Sequence, residues 1–222
     1  MLVQNWMTTT VISVRPDTTL LKTGKLMRDN HIRRLPVVDD DNRLIGIISD
    51  RDVRDASPSK ASTLDMYEMH YLLAEIRAKD IMTKNPIRVA PDDTVEKAAM
   101  VLMDKNIGGL PVVASDNVLT GIITGYDVLK ALLSITGVRN GGMQIGMEIP
   151  NKKGALGPVF DLMTSLGARI LSVLSANVND DTRHVYVRIR DMKDARREDA
   201  LVEAVRGHAR LLYWTRDEKG LP

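Results

Sequence analysis

Apolar and polar positions follow two rhythms along this chain, and each predicts an element. Val11–Val14 and Ile87–Val89 are short β-prone runs, each closed by a proline, Pro16 or Pro91. Asp17-Thr18-Thr19 and Asp92-Asp93-Thr94 then offer residues that cap helix starts. Leu20, Leu26 and Met27, and in the second passage Val95, Ala98, Ala99 and Leu102, recur at helical spacing. Leu35-Pro36-Val37-Val38, an Asp/Asn turn and Leu44-Ile45-Gly46-Ile47-Ile48 predict a hairpin. A helix opens directly afterwards, with Asp52-Val53 or Asp127-Val128 in its first turn. The predicted order is strand, helix, strand, strand, helix, met twice.

The two passages are one module repeated. Met7–Val53 aligns with Met82–Val128 without a gap, at a constant shift of about 75 residues. RRLPVVDDDNRLIGIISDRDV faces GGLPVVASDNVLTGIITGYDV. One copy of about 50 residues would hold only a marginal core, so the copies are expected to pack together. Residues 54–79 join them. This segment begins polar and turns helical, with Ser62 or Thr63 as cap and Leu64, Tyr67, Tyr71, Leu72 and Ile76 near one face, which predicts a bridging helix.

After Thr136-Gly137 the grammar changes. Gly142–Ile149 alternates Met143, Ile145, Met147 and Ile149, a period-two strand. Pro150–Gly154 is a turn, and Leu156, Val159, Phe160, Met163 and Leu166 form an amphipathic helix ending at Gly167. Arg169–Asn177 and Arg183–Arg190 read as strands around an Asn-Asp-Asp turn, Arg196–Arg206 as a helix ending at Gly207, and Ala209–Trp214 as a last strand. The order βαββαβ is that of a ferredoxin-like plait. The fold class is therefore α+β.

Composition removes several functions. A formal net charge of +2 with no long basic run gives no footing for nucleic acid or a membrane surface. With no cysteine, a disulfide framework and a thiol nucleophile are excluded. The N-terminus lacks the pattern of a signal peptide, and no apolar run approaches the roughly 20 residues that span a bilayer, so the expected location is the cytoplasm. His31, His70, His184 and His208 lack metal-ligand spacing. Asp39-Asp40-Asp41 beside Asn42 reads as a hairpin turn rather than a cation site. The twelve methionines read as core filler. No nucleophile–base pair, metal cluster or Walker-type loop is present, so the chain reads as neither an enzyme nor a metalloprotein.

The paired LPVV, Asp/Asn turn, GII(S/T) and Asp pattern resembles a tandem CBS pair over residues 5 to 135. That resemblance implies a sensor holding an adenosine nucleotide (AMP, ADP, ATP) or S-adenosylmethionine in clefts between its repeats, as a regulatory ligand rather than a cofactor. The residues have matching chemistry. Ser49 to Asp52 and Thr124 to Asp127 sit where a strand gives way to a helix, whose free N–H groups suit phosphate. The Ser or Thr hydroxyl can add a bond, and an ionised Asp52 or Asp127 accepts from paired ribose hydroxyls. Gly46 and Gly121 leave room for close approach. A Ser or Thr followed three residues later by an acid is also a capping box in miniature. Arg33 and Arg34, before the LPVV strand, could fork onto phosphate or stand as a solvated pair. Gly108-Gly109 occupy the matching positions, so the two clefts are expected to differ.

The C-terminal third resembles an ACT domain. Pro150, Gly154 and Leu156 match that family's Pro-x-x-Pro-Gly-x-Leu loop, with Lys153 in place of the second proline. The resemblance implies a small, amino-acid-like effector at Asn151, Gly154, Ala155 and Leu156, or a plait that only dimerises. CBS repeats, an SPSKAS-x-LD insert and an ACT-like domain together resemble the acetoin utilization B family, which implies regulation near acetoin or acetyl-group metabolism. The expected boundaries are 1–58 for repeat 1, 59–79 for the bridging helix, 80–137 for repeat 2, 138–142 for a linker, 143–216 for the ACT-like domain and 217–222 for a tail. A homo-oligomer, at least a dimer, is expected because both families pair through exposed surfaces. The competing readings are an oligomerisation scaffold without ligand and, less favoured, a small enzyme.

Overall fold

The computed structural model describes residues 1–57 and 73–217. Ser62, Thr63, Leu64, Tyr67, Tyr71 and Leu72 of the expected bridging helix lie outside the described residues. Two compact units result, Met1–Leu129 and Lys130–Pro222.

In the first unit the repeat is visible element by element. Thr19 caps α1 (Leu20–Asp29) by accepting from Lys22 N, and Thr94 caps α4 (Val95–Asp104) by accepting from Lys97 N. The hairpins are β1 (Arg34–Val38) with β2 (Leu44–Ser49), and β4 (Gly109–Val113) with β5 (Leu119–Thr124). Both pairings shift register at the same place, before Val38 and before Val113. The turn at Asp39–Asn42 closes through Asn42 N to Asp39 O, with Asn42 at φ 61°, as the turn reading requires. Helix α2 (Asp50–Asp55) follows β2, and α5 (Gly125–Thr136) follows β5.

The first strand of each repeat shrinks to a single bridge. Val14 N bonds Pro36 O and Val38 N bonds Val14 O, both at 3.0 Å, and Val89 does the same against Pro111 and Val113. The prolines explain the correction. Extending this parallel ladder one step either way needs an N–H from Pro36 or from Pro16, and in repeat 2 from Pro111 or Pro91.

Each repeat also lends its leading segment to the other. Thr8 bridges Ile122, while β3 (Thr83–Lys84) pairs with Ile47 and Gly46. Val3 N and Gln4 N donate to Asp93 O and Pro91 O; Ala78 N and Lys79 N donate to Thr18 O and Pro16 O. Val3 and Ala78, the latter opening α3 (Ala78–Ile81), are fully buried. Leu73–Glu75, the described end of the expected bridging segment, are helical, and Ile76 lies just past them, its carbonyl accepting from Leu20 N. The apolar spacing Val3-x-x-Trp6-Met7 and Ala78-x-x-Ile81-Met82 is the signal that marks the leader. The hairpin turns meet as well: Asn42 Nδ2 donates to Leu119 O and Asn117 Nδ2 to Leu44 O. Val38, Leu44, Val113 and Leu119 form one buried cluster there.

In the second unit β6 (Gly142–Pro150), α6 (Leu156–Ser165), β7 (Ile170–Asn177), β8 (Thr182–Ile189), α7 (Ala195–Arg206) and β9 (Arg210–Asp217) follow the predicted βαββαβ order. The antiparallel sheet runs β7-β8-β6-β9. Met143, Ile145, Met147 and Ile149 face a core with Val159, Met163, Val187 and Leu201. Gly167, at φ 83°, closes α6 as expected. Asp194, unmarked by the sequence pattern, caps α7 through Arg196 N and Arg197 N. The units divide inside α5, whose last carbonyl, Thr136 O, accepts from Ser172 Oγ and Arg188 Nε. No helix among the described residues is long and apolar enough to cross a membrane.

Candidate functional site

A cavity of about 370 Å³ lies in the first unit, within the size range of small-ligand sites. Repeat 1 contributes Arg34, Ile47, Ser49, Asp50, Arg51 and Asp52; repeat 2 and its leader contribute Thr83, Pro86, Ile87, Asn106, Ile107, Gly108 and Gly109. The exchanged leader is what brings Thr83, Pro86 and Ile87 to β2, so the cavity needs both copies.

Ser49 caps α2 through a complete capping box. Ser49 N and Oγ both donate to Asp52 Oδ2, at 2.6 and 2.7 Å, and Asp52 N donates back to Ser49 Oγ at 3.3 Å. Thr124 and Asp127 repeat the arrangement at 2.9, 2.7 and 3.4 Å. The capping reading is thus realised in both copies, and it does not consume the carboxylate. All side-chain bonds fall on Oδ2, while Oδ1 takes part in none of them. The box fixes Asp52 as an oriented acceptor with Oδ1 outside the cap. The phosphate role expected at the helix start fares worse. The cap already serves Asp52 N, and Asp50 and Asp52 load the first turn with negative charge.

The two arginines separate. Arg34 lines the cavity and is partly buried; Arg33 is exposed and outside the lining. Burial lowers the Arg34 pKa, the nearby Asp50 carboxylate works against that, and Arg33 adds to it. Gly108 and Gly109 are the floor under Arg34: a β-carbon on Gly108 would overlap Nη2, and one on Gly109 would come within 3.1 Å of Cδ. Arg34 and the matching Gly108-Gly109, expected in different clefts, line one and the same cavity, and the glycines are complementary to the arginine.

Gly46 and Gly121 do not open towards a ligand. A β-carbon on either would run into a sulfur, Met82 Sδ or Met7 Sδ, from the other repeat's leader. Their role is packing between repeats, and two of the methionines read as filler are the knobs. Thr124 and Asp127 are not among the lining of this cavity. Sequence reasoning missed Asn106-Ile107 and the leader residues, which no local motif marks. In the second unit Asn151 N donates to Asp181 O at 2.7 Å, Gly154 adopts φ 83°, and Leu156 opens α6, which leaves a short ordered loop. Among the described residues no cluster of His, Asp or Glu could hold a metal ion.

An interleaved pair of repeats sharing a polar-and-apolar cleft defines a duplicated two-repeat module. The CBS domain model matches residues 3–59 and 78–134, more than half of the chain, and the protein belongs to that family. A CBS domain-containing protein of Dictyostelium discoideum is 35% identical over 60% of this chain and 92% of its own length. The chain spans only part of some other curated relatives, 46% of an uncharacterized protein (MJ1225) of Methanocaldococcus jannaschii and 22% of a homoserine O-acetyltransferase of Methanosalsum zhilinae. Among solved structures, CBSX2 in complex with AMP aligns with TM-score 0.53 and 29% identity over 60% of this chain and 97% of that one. A Vibrio cholerae protein described as an acetoin utilization protein (AcuB) aligns at 0.52 and 28%, over 63% and 95%. The CBS pair of MJ0100, solved with 5-methylthioadenosine and S-adenosyl-L-methionine, aligns at 0.50 and 25%, over 60% and 97%.

Proposed function

We propose that the CBS pair is a regulatory sensor for an adenosine nucleotide, held in the 370 Å³ cavity with its ribose on Asp52 and its phosphate on Arg34. The observation that carries this reading is the meeting, in one cleft, of an oriented acceptor, a partly buried guanidinium and apolar Ile47, Ile87 and Ile107. Apolar walls suit a purine ring, the acceptor suits a diol, and the guanidinium suits an anion. Related pairs solved with AMP, or with S-adenosyl-L-methionine and 5-methylthioadenosine, share the adenosine moiety that this arrangement fits. Thr124 and Asp127, with the same cap, would serve a second, phosphate-poor cleft.

The second unit acts on this reading as an ACT-like plait, binding a small effector beside Asn151, Gly154, Ala155 and Leu156 or joining protomers. Its βαββαβ order and the ordered turn at Gly154 support it. The likeness to the Vibrio cholerae protein supports a regulatory place near acetoin or acetyl-group metabolism. The protein works as a homodimer through the first unit, where Met100, Met103, Tyr126 and Leu129 are 59%, 80%, 73% and 60% exposed. A thermal-shift panel of AMP, ADP, ATP and S-adenosylmethionine tests the sensor. A ligand at about 100 times its Kd adds roughly 2.7 kcal/mol and raises Tm by about 5–10 °C; no shift with any of the four at millimolar concentration refutes it.

A further inference from the structure

The second unit holds a cavity of its own, about 730 Å³, where β6 ends, β8 begins and α7 turns into β9. The loop after β6 brings Lys152 to it, and the end of α7 with the start of β9 brings Arg206, His208 and Arg210. The acids at this site are Glu148 and Asp181. Glu148 is largely committed: Oε1 accepts from Arg210 at 3.1 Å and Oε2 lies 3.3 Å from His184 Nε2. Those contacts fix the Arg210 guanidinium at the cavity. His208 is fixed too, with Nδ1 3.0 Å from Ala204 O, which leaves Nε2 as the ring's outward nitrogen. Arg206 is braced by Glu203 at 2.9 Å. Lys152 has no ion-pair partner among the described residues. Three basic side chains held by neighbouring groups on the α7–β9 segment, with Lys152 from the loop after β6, match a ligand carrying more than one anionic group.

We propose that this cavity binds a compact polyanion, carrying two or more carboxylate or phosphate groups, which bridges Lys152 to the Arg206–Arg210 segment. This site lies within the second unit and is independent of the nucleotide cleft. Only Lys152 of the Pro150–Gly154 turn's basic residues contributes to it, so it is not the effector loop at Gly154 and Ala155.

Citrate and inorganic pyrophosphate, titrated separately into the full chain and followed by calorimetry and amide NMR, test the proposal. At least one should bind and shift the amides of Thr182, Gly207 and Ala209, and whichever binds tells a polycarboxylate ligand from a phosphorylated one. Acetate, with one charge, should bind at least about tenfold more weakly, and 0.5 M salt should weaken the polyanion. Lys152→Gln and Arg206→Gln, both at exposed positions, should each cost about tenfold, the loss of one charge-assisted bond. Lys152→Arg should retain most of the affinity. AMP binding should be unchanged in these variants; a failure of AMP to bind the parent would refute the nucleotide reading and leave this one standing. No amide shift with either probe at millimolar concentration, or binding unaffected by both glutamine changes, overturns the proposal.

Discussion

Arg34 lies against Gly108 across the interface of the two repeats, and the glycine's missing side chain is what admits its guanidinium. The two positions are neighbours by symmetry: Arg33-Arg34 and Gly108-Gly109 correspond in the duplicated module. A pair of arginines in both copies would press like charges together at the cleft. Glycine in one copy turns that repulsion into a fit.

Gly108→Ala should therefore redirect Arg34 without unfolding the unit, because the overlapping atom is the end of a flexible side chain. The expected stability change is within about 1 kcal/mol. Affinity for AMP should fall several-fold while adenosine is little affected. Equal losses for both ligands would mean that the substitution deforms the whole cleft.

The leader exchange predicts a different response at Gly46 and Gly121. A β-carbon there meets Met82 or Met7, so each Gly→Ala should destabilise by about 1–3 kcal/mol, the range for overpacking. Adding Met82→Ala to Gly46→Ala should recover part of the loss. Strict additivity in urea denaturation would show that the glycine and the methionine do not couple.

Much of this was readable from the sequence. The Thr19 and Thr94 caps, the hairpins and the βαββαβ plait follow from local chemistry, because capping, turn and alternation signals act within a few residues. The exchange of leaders did not follow, since nothing in Val3 or Ala78 says which copy buries it. The single-bridge first strands were in principle legible, because Pro16, Pro36, Pro91 and Pro111 remove the N–H groups that a longer ladder needs. Of the candidate site residues, Ser49, Asp52 and Arg34 line the cavity. Gly46 and Gly121 were misassigned, because the residue type shows close approach but not by what. Asn106 and Thr83 were missed because only the tertiary fold brings them to β2.

Acid should weaken the first unit partly through Asp93. Its carboxylate accepts from Lys97 Nζ at 2.6 Å and from Ala90 N at 2.9 Å, which lowers its pKa. A lowered folded pKa means that the stabilisation is present above the unfolded value of about 3.9 and is lost as pH falls through the folded value. Asp93→Asn should flatten the stability–pH curve below about pH 4. An unchanged acid limb in that variant would remove Asp93 from the account.

Met103→Glu combined with Leu129→Glu should convert the proposed dimer to a monomer, since both residues are largely exposed in the single chain. Light scattering at tens of micromolar reads the outcome. A monomeric parent, with and without nucleotide, contradicts the dimer.

On the proposed reading Arg34 serves phosphate and Asp52 serves ribose in one cleft. Calorimetry of AMP and adenosine on the parent, Arg34→Ala, Arg33→Ala and Asp52→Ala measures it directly. Arg34→Ala should weaken AMP at least about tenfold and adenosine much less, the loss of a charge-assisted bond. Arg33→Ala, at an exposed position outside the cavity, should change little, and Asp52→Ala should weaken both ligands alike. If Arg34→Ala reduced AMP and adenosine equally, Arg34 would be a structural residue of the repeat interface and the phosphate assignment would be wrong.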